Sequence, residues 1–197
     1  MLFNVACYLE SADGYARFNF AAFKRDQWDI EHVRSVAQGR PVYPAARIAW
    51  LRRCRDHLHQ DAREEALCRR MDTYLAQPAE KTDEAEFDEL YKRVLKVFRE
   101  TDDEDVDDGI GNLVLLDQST NRSYKNAVFA VKRQRIVALE QDGGFVPLAT
   151  KNVFLKAYSP RPDTLLFWTR HDRDAYLRVI TETLARFFSN TKGKAVA

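Results

Sequence analysis

The stretch GNLVLLDQSTNRSYKN, residues 111–126, decides how the rest of the chain is read. Leu113, Val114, Leu115 and Leu116 form a short apolar run, and it passes directly into a polar segment holding Asn121, Arg122, Lys125 and Asn126. A connection after a strand normally draws on glycine or proline. Here the residues after Leu116 offer amides, hydroxyls and bases instead. The pattern predicts a buried strand, opened by Asn112, whose polar neighbours serve a site. Taken singly, Asn112 also fits a turn cap and Asn121 a helix N-cap.

On either side of this stretch the sequence reads as helical. From Ala45 to about Ala76 the apolar positions Ile48, Leu51, Cys54, Leu58, Ala62, Leu67, Met71 and Leu75 recur every three or four residues. Charged residues fill the gaps, so a long amphipathic helix or a helical hairpin is expected. EAEFDELYKRVLKVFRE carries a second stripe through Phe87, Leu90, Tyr91, Val94, Leu95 and Phe98. KNAVFAVKRQRIVALEQ reads as a helix, and a two-glycine break precedes GGFVPLATKNVFLKAYS. Thr169 and Asp172 can open a last helix with the stripe Tyr176, Val179, Ile180, Leu184, Phe187 and Phe188. Near the start, residues 1–10 read as the end of a helix. YARFNFAAFKRDQWDIEHV then alternates aromatic and polar residues into a strand at Trp28–Val33.

With 197 residues, 45% of them hydrophobic, the chain can bury one substantial core. The expected class is α+β: one mainly α-helical domain, residues 1–197, with a helical insertion at about 45–100. Its beginning, MLFNVACYL, reads as if partway through a helix, which leads us to expect the C-terminal portion of a larger protein. That segment is too short for a membrane span and lacks a basic leader, so no membrane association follows. Cys7, Cys54 and Cys68 are far apart and never spaced C-x-x-C. They indicate neither a disulfide framework nor structural zinc, and a cytoplasmic location is expected.

A net charge of +1 excludes a generally basic nucleic-acid binder, so any polyanion site is local. Between Asn121 and Ile136 there are five basic residues and no acid, whereas residues 101–109, TDDEDVDDG, hold six acids and no base. The acidic run reads as a solvated loop. It is not a calcium loop: with Asp103, Asp105 and Asp107 at the first ligand positions, the sixth is Asp108 rather than glycine and the twelfth is Val114 rather than glutamate.

Two separated pairs carry the candidate chemistry. Glu31 and His32 sit side by side at the end of the first strand. About 80 residues later Asn112 opens the second strand, and Asn121 follows nine positions on. Neighbouring side chains on a strand point to opposite faces, but twist at a strand end would let the acid and the imidazole meet at one phosphate. His57 and His59, on a charged helix, read as surface residues, and His171 is given no role.

These residues resemble the HNH nucleases of the ββα-metal fold. In that family an acid-His pair closes the first strand, Asn-Leu opens the next, and a His or Asn stands nine residues later. WDIEHVRS, IGNLVLLDQSTNRSYKNAVFAVKR, TKNVFLKAYS and the FW before DRDAYL are similar to the C-terminal HNH domain of GmrSD-type restriction and phage-defence proteins. The resemblance implies a ββα-metal finger and a phosphodiesterase using one Mg²⁺ or Mn²⁺ ion. His32 would be the general base, and Asn112 would hold its imidazole. Glu31 and Asn121 would offer oxygens to the metal. Lys125, Asn126, Lys132 and Arg133 fit phosphate contact and a solvated helix face about equally well. Many HNH proteins carry zinc-binding cysteines around the second motif, where this chain has Asp117 and Thr120. The packing of the helical insertion would have to take over that support. The implied partner is DNA, plain or modified, together with a nucleotide-hydrolysing domain as an N-terminal domain or a partner subunit. Two further readings stay open: a nucleic-acid or protein binding module that keeps the fold without turnover, and an RNA-cleaving toxin.

Overall fold

The structure is a computed structural model, and it describes residues 1–11, 17–34, 40–59, 64–98, 108–123, 127–159 and 165–193. Among these the elements run α1 Leu2–Glu10, α2 Phe20–Arg25, β1 Trp28–His32, α3 Pro44–Leu58, α4 Glu65–Leu75, α5 Glu84–Val97, β2 Leu113–Asp117, α6 Gln118–Ser123, α7 Phe129–Gln141, α8 Leu148–Phe154 and α9 Arg170–Gly193. The fold is α+β and mainly helical, as expected, with a small antiparallel sheet of two strands.

The segment at 45–76 is a hairpin of two helices: the periodic stripe is shared between α3 and α4, whose Leu51, Cys54, Leu58, Leu67, Cys68 and Met71 are buried. Helix α5 begins at Asp83, whose carboxylate accepts a hydrogen bond from the Glu86 backbone N–H at 2.8 Å. One buried cluster runs from Val33 through Trp50, Tyr74, Phe87 and Leu90 to Val114, Leu116, Phe129 and Phe154. The strands therefore rest on the same core as α3, α4 and α5.

Helix α2 was not expected. Its six residues lie where the alternation of aromatic and polar residues predicts an approach to the strand. The reason is local: Asn19 accepts from the Ala22 N–H at 2.9 Å, which caps a single helical turn. Trp28 then turns its indole N–H back onto the Phe23 carbonyl at 2.8 Å and stacks on the Phe23 ring.

In the sheet, Trp28 pairs with Asp117, Ile30 with Leu115 and His32 with Leu113. The ladder continues past both ends, through Val33 N–H to the Asn112 carbonyl and Gln118 N–H to the Gln27 carbonyl, each at 2.8 Å. Strand β2 buries Val114 (5% exposed) and Leu116 (1%), so Val114 and Leu116, rather than Leu113 and Leu115, anchor it to the core. Helix α8 fixes β2 from the other direction, since the Thr150 hydroxyl donates to the Leu115 carbonyl at 2.7 Å.

Gly111 lies just before β2, against α9. A Cβ at this position would stand 2.7 Å from the Arg173 carbonyl oxygen, a backbone atom that cannot swing away. Gly111→Ala is expected to destabilise the protein by about 1–3 kcal/mol, the usual range for overpacking. Thermal unfolding measures it, and an unchanged midpoint would show that α9 does not press on this turn.

Candidate active site

Alternation along β1 sorts its side chains. Asp29 and Glu31 share one face of the strand, and Trp28, Ile30 and His32 share the other. Helices α6 and α7 supply partners to the first face. The Asn121 side-chain amide, in the first turns of α6, donates from Nδ2 to Asp29 Oδ2 at 3.3 Å. The Lys132 ammonium, on α7, donates to Glu31 Oε1 and to the His32 carbonyl oxygen, both at 2.6 Å.

Helix α6 is aimed by its own start. Asp117 Oδ1 accepts from the Thr120 backbone N–H at 2.9 Å and from the Ser119 hydroxyl at 2.5 Å. Burial would raise the Asp117 carboxyl, but these hydrogen bonds outweigh it and hold the group below the usual carboxylate range. Asp117 and Thr120 are thus joined to each other as a helix cap.

Asn121 is 8% exposed, and its Oδ1 is a buried acceptor that no donor reaches among the described residues. An acceptor left in this state costs about 1–3 kcal/mol. Such an atom is suited to a cation or an ordered water between the helix and the strand.

Asn112 is 2% exposed and works on the main chain. Its Oδ1 accepts from the Arg34 N–H at 3.0 Å, its Nδ2 donates to the Arg34 carbonyl at 3.3 Å, and its own carbonyl takes the Val33 N–H. It therefore staples the chain where β1 ends, immediately beyond His32. The group bonded to the His32 ring is Asp108, whose Oδ1 lies 2.8 Å from Nε2. That imidazole is about a third exposed, at 34%.

The expected site residues are therefore placed in two groups. Glu31 and Asn121 share a face with Asp29 and Lys132, while His32 turns toward Asp108 at the sheet's end. Lys132 differs from its expected role. Its side chain is 1% exposed, so neither a solvated face nor a direct phosphate contact fits it, and its charge is used on Glu31 instead. Arg133 is half-buried on α7, with Nε shielded from solvent. Lys125 and Asn126 lie outside the described residues.

Asp29 and Asp108 were not anticipated, and Lys132 was anticipated only as a phosphate contact or a residue of a solvated face. Asp29 was legible, because period two puts it on the face of Glu31. Lys132 was legible too, standing between Phe129 and Ile136 in the apolar phase of α7, where a charge needs a buried partner. For Asp108 the sequence holds no signal beyond an acid near Asn112.

Thiol chemistry has no support here. Burial pushes the Cys7 thiol up to about 11, and Cys54 and Cys68 are buried in the core. No helix among the described residues is long and apolar enough to cross a membrane. No curated protein and no solved structure matches the chain. The resemblance read from the motifs holds in the comparison with protein families: residues 75–147, which contain Asn112, Asn121 and Lys132 and follow Glu31 and His32, match GmrSD restriction endonucleases, C-terminal domain.

Proposed function

We propose that the protein is a metal-dependent HNH-type endonuclease that hydrolyses DNA phosphodiester bonds, the effector part of a restriction or anti-phage system. The observation that carries this reading is the buried Oδ1 of Asn121, without a donor among the described residues, beside the carboxylate-bearing face of β1. The similarity to restriction endonucleases adds the reaction class.

The donors fit a hard divalent ion such as Mg²⁺ or Mn²⁺: a neutral amide oxygen and carboxylate oxygens, with no sulfur. Asn121 and Glu31 would hold it, and when bound there it would neutralise charge on the phosphate and on the leaving oxygen. The remaining work belongs to the chain. His32 accepts the proton of the attacking water. Asp108 engages Nε2, which orients the ring and leaves Nδ1 for that proton. Lys132 holds the His32 carbonyl and Asn112 holds the backbone of Arg34, so the base is fixed from both sides of its peptide. Arg133, Lys125 and Asn126 are the candidates for contact with the DNA backbone, which carries no base information. A nucleotide-hydrolysing domain, in the same protein or in a partner, would select the DNA.

Supercoiled plasmid incubated with the protein and Mg²⁺ or Mn²⁺ is expected to become nicked or linear, and EDTA is expected to stop the reaction. The Lys132 ammonium on Glu31 favours a second reading, a binding module in which that acid is already neutralised. DNA retention in a gel shift with no cleavage under any divalent ion would establish the second reading and sink the first.

A further inference from the structure

We propose that Asp29 is the anionic ligand of the divalent-cation site, a third oxygen donor beside Asn121 and Glu31. The inference rests on the reading of those two residues as metal ligands, and it supplies what that pair lacks.

Charge is the first argument. Glu31 already has the Lys132 ammonium at 2.6 Å, and with side-chain exposures of 15% and 1% the two groups are shielded from water. They neutralise one another at close range. Asn121 is uncharged, so Glu31, Lys132 and Asn121 together present no net negative charge to a divalent ion. Among the described residues no cation pairs with Asp29, so among them its carboxylate is the anion on this face without a compensating charge.

Geometry is the second argument. Asp29 and Glu31 are two residues apart on one strand, so their side chains leave the same face about 7 Å apart along it. The Asn121 amide reaches that face and gives its nitrogen to Asp29 Oδ2. The oxygen of the same amide, more than nine-tenths buried, has no donor among the described residues. The hydrogen bond from Nδ2 ties this amide, and with it Oδ1, to the Asp29 carboxylate. A cation held by Asn121 and Asp29 would satisfy the orphaned acceptor and the carboxylate charge together. A water would satisfy only the first.

Mn²⁺ binding to the purified full chain, followed by the loss of the free-ion signal in electron paramagnetic resonance, tests this without any turnover. Asp29→Asn keeps an acceptor for Asn121 Nδ2 and nearly the same volume, so its thermal unfolding in EDTA should match that of the wild type. Its Mn²⁺ affinity is expected to fall at least about 10-fold, the loss seen when a metal site's supporting or ligating group is removed. Asn121→Ala and Glu31→Gln mark the site itself. If both weaken Mn²⁺ binding and Asp29→Asn does not, Asp29 is no ligand and the site stands without it. If the wild-type chain binds no Mn²⁺ at all, the metal reading falls and this inference falls with it.

Discussion

The His32→Ala protein is expected to cleave supercoiled plasmid about 10²–10⁴-fold more slowly than the wild type, the usual contribution of a positioned general base. Its retention of DNA in a gel shift should be nearly unchanged. The argument is geometric. His32 is the last residue of β1, its ring is open to solvent on one side, and Asp108 holds Nε2 at 2.8 Å. The Lys132 ammonium holds the main-chain carbonyl of His32 rather than its ring, so removal of the imidazole leaves that contact and the strand pairing in place. The loss should therefore appear in the rate and not in stability. Equal cutting by wild type and variant would remove His32 from the chemistry. It would then be an exposed strand-end histidine paired with an acid.

The largest effect on stability is expected at the head of α9, away from the candidate metal ligands. Asp172, in the first turn of α9, accepts from the Lys156 ammonium at 2.8 Å, the Ser159 hydroxyl at 2.5 Å, and both the backbone N–H and the hydroxyl of Thr169 at 2.8 Å. Its own N–H returns to the Thr169 hydroxyl at 3.3 Å, closing a reciprocal cap at the head of α9. Side-chain exposures of 1% for Lys156 and 5% for Asp172 mean that neither charge can fall back on water. Asp172→Ala leaves a buried ammonium and orphaned donors, and is expected to cost about 3–5 kcal/mol. At roughly 2–4 °C per kcal/mol for a protein of this size, the unfolding midpoint should drop by about 10 °C. Replacing both partners with apolar residues of similar volume should cost less than either single change. A single variant as mild as a surface substitution would show that the pair is solvated.

The same group sets an acid limit on stability. Burial alone would raise the Asp172 carboxyl, but Lys156, Ser159 and Thr169 together outweigh it and hold the group below its ordinary value. The unfolded chain thus binds this proton at higher pH than the folded one. The contribution is complete above the unfolded carboxylate value, about 3.9, and is lost as pH falls through the lower folded value. Asp117, depressed by its cap hydrogen bonds, adds a contribution of the same sign. Asp172→Asn should flatten the decline of the unfolding midpoint below about pH 4.

Much of this protein could be read before folding because the relevant forces are short in range. The stripes of α3, α4, α5 and α9 follow from helical spacing, and the α9 cap from Thr169 and Asp172 three residues apart. Helix α2 escaped because a single Asn19 cap outvoted the alternation around it. The run Leu113–Leu116 reads as strand, yet which of its residues meet the core depends on what lies on each face. That placed Val114 and Leu116 inward.

At the candidate site the division is sharper. The nine-residue step from Asn112 to Asn121 put both amides beside a two-stranded finger through its resemblance to the HNH pattern. The sequence also put Glu31 and His32 at the end of the partner strand. Their partners were another matter. Asp108 reaches His32 across 76 positions and Lys132 reaches Glu31 across 101. Local propensity carries no information over such separations, because the bonds exist only after β1 and β2 have paired and α7 has packed across them. Only the tertiary structure could show Asn112 stapling the main chain, Glu31 as the partner of Lys132 and the amide oxygen of Asn121 without a donor among the described residues. Each of these depends on which groups desolvation forces together, and that is settled by the core as a whole.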